Sequence, residues 1–238
     1  MILIGSLLWL SVRPAVHTTA GSAVRVAGPM VHADGPAPLR MLALGDSYTI
    51  GESVAAVDRY PVQLVRRLRD SDHIFFDSPE IIATTGWTTG NLLDAIPMSK
   101  PEGPYAVVTL LIGVNNQYQG RSLSEYSEQL TTLLRQSIAL AGNRASHVLV
   151  LSIPDYSVTP FGKALADPAR IAAQIDSFNI VGRQVTAVHG AAWLDITTQS
   201  RKAADDLSLV AVDGLHFSGK EYQNWARLME PVIRGMGE

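Results

Sequence analysis

Gly45-Asp46-Ser47 and Asp213-Gly214-Leu215-His216 contain the three side-chain types that together turn a serine hydroxyl into a nucleophile. Serine attacks a carbonyl only once a base takes its proton, and the usual base is a histidine held in one tautomer by a carboxylate. Two of the six histidines lie three residues after an aspartate: His73 after Asp70, and His216 after Asp213. Spacing alone leaves both open. Acyl transfer also needs donors aimed at the oxyanion of the tetrahedral intermediate. Thr84-Thr85-Gly86-Trp87 offers a glycine whose backbone can approach a substrate closely, and Gly113-Val114-Asn115-Asn116 offers an amide NH2. Read singly, Ser47 is also a plausible helix cap, Gly86 a turn residue and Asn115 an Asx-turn.

The elements around these residues decide between the alternatives. Beyond Arg40, short apolar runs alternate with amphipathic stretches. Strands are expected at Met41–Leu44, at Ile74–Phe76 with Ile81–Ala83, at Tyr105–Ile112, at His147–Ile153 and at Ala191–Ile196. Helices are expected at Val57–Arg69, Gly90–Ile96, Ser124–Ala141, Pro168–Val188 and Ser218–Ile233. Such alternation argues a parallel sheet covered by helices on both faces, and in open α/β sheets ligands bind outside the carboxyl ends of the strands. Ser47, Gly86 and Asn115 each follow a strand. Asp213 and His216 lie in the connection leaving the fifth strand, on that same side. Asp70 and His73 fall between the first helix and the second strand, at the opposite edge, so the topology selects Asp213 and His216. His147 and His189 border element ends and read as structural.

Taken together, Gly45-Asp46-Ser47, Gly86, Gly113-Val114-Asn115 and Asp213-Gly214-Leu215-His216 resemble the four sequence blocks of the SGNH, or GDSL, hydrolase superfamily, in order, over roughly residues 41–232. The resemblance implies a flavodoxin-like three-layer α/β/α sandwich around a mostly parallel five-stranded sheet. It implies Ser47 as nucleophile and first oxyanion donor, Gly86 and Asn115 as further donors, His216 as base and Asp213 as its partner. Three departures stand out: the second block reads Thr-Gly-Trp, Asn116 stands where aspartate is common, and Phe217 follows the histidine where proline is common. The activity implied is hydrolysis of carboxylic esters of small or medium groups through an acyl-enzyme. An acyltransferase, lysophospholipase or carbohydrate deacetylase would use the same residues. Trp87, Tyr118, Tyr156, Phe161 and Phe217 are the candidates for lining a substrate pocket. The chemistry calls for no metal or cofactor.

Composition narrows the field further. The 238 residues carry 19 Lys plus Arg against 22 Asp plus Glu, a formal charge of -3, so the phosphate-neutralising surface of a nucleic-acid binder is not expected. The absence of cysteine removes thiolate nucleophiles and disulfides. A chain of this length can bury roughly 70% of its unfolded surface and build its own core. Gly-x-Ser-x-Gly, Walker A and Gly-x-Gly-x-x-Gly patterns do not occur. A flavodoxin-like non-catalytic binding module remains as a rival, although Asp46 and Glu52 would repel a phosphate at the first loop. Residues 1–39 read as an extension with a signal-like apolar start, Met1–Val12, and a Gly/Ala/Pro linker; residues 40–238 form the expected hydrolase domain. The apolar start is shorter than the about 20 residues of a bilayer span. Cleavage after residue 20 or 33 would make the protein periplasmic or secreted; an uncleaved extension would leave it cytoplasmic.

Overall fold

The computed structural model describes residues 37–236, so the signal-like start, its possible cleavage sites and most of the linker lie outside the described residues. Five strands, β1 (Met41–Gly45), β2 (Glu80–Ala83), β3 (Val107–Leu111), β4 (Val148–Leu151) and β5 (Ala192–Leu194), form one sheet in the order β2-β1-β3-β4-β5. Every pairing is parallel. β1, β3 and β4 are buried along their whole length, as expected of strands covered on both faces. The helices are α1 (Ser47–Ile50), α2 (Tyr60–Asp72), α3 (Thr89–Ser99), α4 (Val114–Tyr118), α5 (Leu123–Leu140), α6 (Pro160–Lys163), α7 (Pro168–Val188), α8 (Thr197–Ser200) and α9 (Gly219–Gly235). Helix α2 packs against α9, and α5 packs against both α3 and α7; the right-handed crossovers that parallel strands favour put these two groups on opposite faces of the sheet. The result is the expected three-layer sandwich.

Local chemistry sets the element boundaries. Thr88 and Asn91 close a capping box at the start of α3. Ser122, Asp167 and Ser218 accept from the backbone N–H three residues on at the starts of α5, α7 and α9. Pro168 at the first turn of α7 fixes an entry the sequence already marks. The second strand differs from expectation: Phe76 makes only an isolated bridge to Leu39, and β2 begins at Glu80, after Asp77-Ser78-Pro79 interrupts the run. Leu39 is already tied into the fold, donating to the Phe75 carbonyl and accepting from Asp77. α2 starts at Tyr60 because a short 3-10 turn, Ala56–Asp58, precedes it.

The sheet aligns the loops that matter. In register, Gly45 lies beside Ala83 on one side and Leu111 on the other. The segments that follow these three residues therefore leave a common edge, next to the switch point between β1 and β3. The chain turns so tightly there that a Cβ on Gly45 would lie 2.1 Å from Thr49 Oγ1 and 2.4 Å from the Leu111 carbonyl oxygen. Gly45→Ala is therefore expected to cost about 1–3 kcal/mol and to lower Tm by roughly 3–10 °C in thermal unfolding followed by circular dichroism. An unchanged Tm would show that the backbone at the β1 exit relaxes freely.

Candidate active site

Ser47 is the first residue of α1, and the helix is capped by Asp46, whose side chain accepts from the Tyr48 N–H at 3.1 Å. The structure thus gives the capping role to Asp46 and leaves the Ser47 hydroxyl uncommitted by it. Ser47, His216 and Asn115 line one cleft of about 160 Å³, together with Tyr48, Val114, Tyr118, Tyr156, Phe161 and Leu215.

His216 and Asp213 sit on a small hairpin closed by an antiparallel bridge between Val210 and Phe217. His216 Nδ1 lies 2.6 Å from Asp213 Oδ2. Asp213 Oδ1 accepts from the backbone N–H groups of Leu215 and His216, each at 2.9 Å. The carboxylate therefore holds both the ring and the backbone of the turn that carries it. With Nδ1–H donated to Asp213, the Nε2 lone pair remains free to act as a base. Partial burial pushes the Asp213 carboxyl up, but donors from Ser53, from His216 and from the two backbone N–H groups outweigh it. They hold Asp213 well below the usual carboxylate range.

Asn115 Nδ2 donates to the Trp87 carbonyl at 2.9 Å, which orients the amide and leaves its second N–H available. Asn116 is fully buried; it accepts from Thr89 N–H at 2.9 Å and donates to Thr89 Oγ1 at 2.7 Å. This departure from the usual block lies behind the cleft and ties α4 to the start of α3. Gly86 has φ +84° and faces open space, a conformation that favours glycine. Neither Gly86 nor Trp87 is among the residues lining the cleft.

Of the expected pocket residues, Tyr118, Tyr156 and Phe161 do line the cleft, their ring centroids 6.2–6.5 Å apart. The Tyr156 hydroxyl donates to Gln117, which in turn donates to Gln174, so this ring is fixed from behind. Two expectations need correction. Phe217 is completely buried, packed against Tyr48 and Trp225, because it anchors the His216 hairpin in the core. Trp87 is half-buried against the core and contributes its carbonyl to Asn115 instead of a ring to the cleft. His73 is an exposed helix C-cap with φ +56°, and His147 and His189 bond backbone carbonyls through Nδ1. Sequence reasoning missed Tyr48, Val114 and Leu215 in the cleft wall, although all three adjoin residues it singled out. It also missed Ser53, whose hydroxyl donates to Asp213 Oδ2 at 2.6 Å.

A parallel sheet in the order 2-1-3-4-5 with these loops at its carboxyl edge is an open α/β fold of the flavodoxin-like kind, which SGNH hydrolases share. The sequence profile of the GDSL-like lipase/acylhydrolase family matches residues 43–223, and the chain belongs to that family, a serine-dependent carboxylic ester hydrolase. Solved structures share the fold at low identity. TesA is 19% identical with a TM-score of 0.65, covering 83% of this chain and 99% of its own. A lipase/acylhydrolase from Enterococcus faecalis is 22% identical with a TM-score of 0.61, covering 83% and 96%. An acetylxylan esterase from Geobacillus stearothermophilus is 17% identical with a TM-score of 0.60, covering 82% and 94%. No curated protein matches the chain by sequence. Among the described residues, no helix is long and apolar enough to cross a membrane.

Asp46 carries a pH dependence of its own. Burial pushes its carboxyl up to about 7, against the bond from Tyr48 N–H, and its Oδ2 has no hydrogen-bond partner. A folded-state value raised above the unfolded one means that the folded protein holds a proton the unfolded chain has released. The Asp46 contribution is therefore fully present below about 4 and is lost as pH rises towards 7. Urea midpoints of wild type and Asp46→Asn should converge, or cross in favour of the variant, between pH 4 and pH 7. A constant difference across that range would show that Asp46 is already ionised at the low end.

Proposed function

We propose that Ser47, His216 and Asp213 form the catalytic triad and that Ser47 N–H, Gly86 N–H and the Asn115 side chain form the oxyanion hole. The observation that carries this reading is the 2.6 Å contact between His216 Nδ1 and Asp213 Oδ2, on a hairpin that brings the imidazole to the same cleft as Ser47. His216 Nε2 takes the hydroxyl proton as Ser47 Oγ bonds to the ester carbonyl carbon, and the carbonyl electrons move onto the oxygen held by the three donors. The tetrahedral intermediate collapses, the carbon–oxygen bond to the alcohol breaks, and His216 gives its proton to the departing alkoxide. Water then repeats the sequence on the acyl-enzyme and releases the acid.

The substrate class follows from the walls. Val114, Leu215 and the three rings supply apolar surface around Ser47, which suits an acyl or aryl group. The cleft is smaller than the roughly 300–1,000 Å³ of sites for drug-sized ligands, which favours a short acyl chain. The reading is therefore a small-molecule carboxylesterase.

Hydrolysis of p-nitrophenyl esters from acetate to palmitate tests it. The wild type should be fastest on short acyl chains and fall off towards palmitate. Ser47→Ala should lose about 10⁴-fold or more in kcat, and Asn115→Ala about 10²–10³-fold. An active Ser47→Ala variant would remove the proposed nucleophile, and a palmitate optimum would remove the proposed acyl class.

A further inference from the structure

Ser53 stands in the left-handed backbone region, with φ +64°, three residues after the end of α1. That conformation is disfavoured for a residue with a Cβ, and its exposed position is not compelled by core packing. The loop carrying it is bound back to the nucleophile's own residue, since the N–H groups of Gly51 and Glu52 both donate to the Ser47 carbonyl, at 3.0 and 2.9 Å. From there the Ser53 hydroxyl reaches 2.6 Å to Asp213 Oδ2, the same oxygen that meets His216 Nδ1. Strained backbone that persists at a site points to a constraint imposed by function.

We propose that Ser53 is a positioning residue of the active site, acting through Asp213. It locks the carboxylate against His216, ties the Ser47 segment to the His216 hairpin across 160 positions of sequence, and takes up part of the negative charge that the imidazole sees. This rests on the triad reading above. With both Oδ1 bonds coming from the hairpin's own backbone, Ser53 supplies the single bond to Asp213 from outside that hairpin among the described residues. Without it the carboxylate is fixed only relative to its own turn, and the distance between base and nucleophile is no longer shared with the α1 loop. Asp213 faces the imidazole from its own hairpin, Tyr48 meets its ring edge-on at 5.6 Å, and Tyr118 and Tyr156 line the same cleft; behind them Asp46 acts on Tyr48, and Asp46, Asp213 and Glu52 act on the buried Tyr222.

The test compares wild type, Ser53→Ala, Ser53→Gly and Asp213→Ala, with the double variant Ser53→Ala/Asp213→Ala, on a short p-nitrophenyl ester over pH 5–9. Both Ser53 variants should lose about 3–10-fold in kcat with little change in KM, since a charge-assisted bond of this kind is lost in each. The acid limb of kcat/KM should move to higher pH by about 0.3–0.5 unit, because a less satisfied carboxylate favours the protonated imidazole more. Ser53→Gly removes the left-handed strain that Ser53→Ala keeps, and thermal unfolding should show both variants folded at the assay temperature, so a kinetic loss of the same size in both belongs to the hydroxyl. In the Asp213→Ala background, Ser53→Ala should cost nothing further.

A Ser53→Gly variant with wild-type kcat and acid limb would overturn the proposal while leaving the triad standing. So would a Ser53→Ala cost that persists undiminished without Asp213. An Asp213→Ala enzyme as active as wild type would bring down the triad reading itself, and this inference with it.

Discussion

Four hydrogen bonds converge on the Asp213 carboxylate, and the placement of the proposed base depends on them. Two come from the backbone of the turn that carries it, one from the imidazole of His216 and one from Ser53 beside the Ser47 helix. A carboxylate so satisfied is held well below the usual carboxylate range and is ionised at neutral pH. In the proposed triad it accepts from Nδ1–H, which leaves Nε2 to take the Ser47 proton. Phe217, next in the chain, is sunk between Tyr48 and Trp225, so the hairpin bearing the base is pinned in the core on one side and held by hydrogen bonds on the other. The Gly214 carbonyl accepts from Phe161 N–H, which joins this hairpin to the aromatic wall of the cleft.

The other half of the site comes from the sheet. Because β1 lies between β2 and β3 in parallel register, the exits at Ala83, Gly45 and Leu111 form a row, and short segments after each carry Gly86, Ser47 and Asn115. Cross-ties keep these segments together. Asn115 bonds the Trp87 carbonyl, and Asn116 bonds both the N–H and the hydroxyl of Thr89. Adjacent asparagines thus divide the work: one orients a donor towards the cleft, and the other fixes the loop it leans on. The binding edge is built from backbone alignment, and its cleft owes its apolar character to residues such as Val114 and Leu215 that flank the polar ones.

Much of this was legible in the sequence because its motifs sit at strand ends. Helix α7 is found at the expected Pro168–Val188, and the structure adds the Asp167 cap that starts it. The choice of His216 over His73 needed only the direction of a parallel sheet. Other features gave no periodic signal. One-turn helices such as α1, α4 and α6 are too short to show a 3.6-residue pattern. The apolar run at Ile74–Phe76 resembles a strand but contributes a single bridge. Phe217 and Trp87 are aromatic neighbours of the proposed site residues, yet residue type does not tell a cleft wall from a core anchor; only burial separates them. Ser53 was invisible for a related reason: its partner lies 160 positions away, and its unusual φ is a property of the folded loop.

The central claim is that one serine, at the exit of β1, forms the acyl-enzyme. A fluorophosphonate reacts covalently with an activated serine, so the most direct measurement is the mass of the labelled protein followed by peptide mapping. A single adduct on the peptide containing Ser47, lost in His216→Ala because the nucleophile is no longer activated, is the predicted result. Labelling at any other residue, or no labelling of a protein that hydrolyses esters, would contradict it.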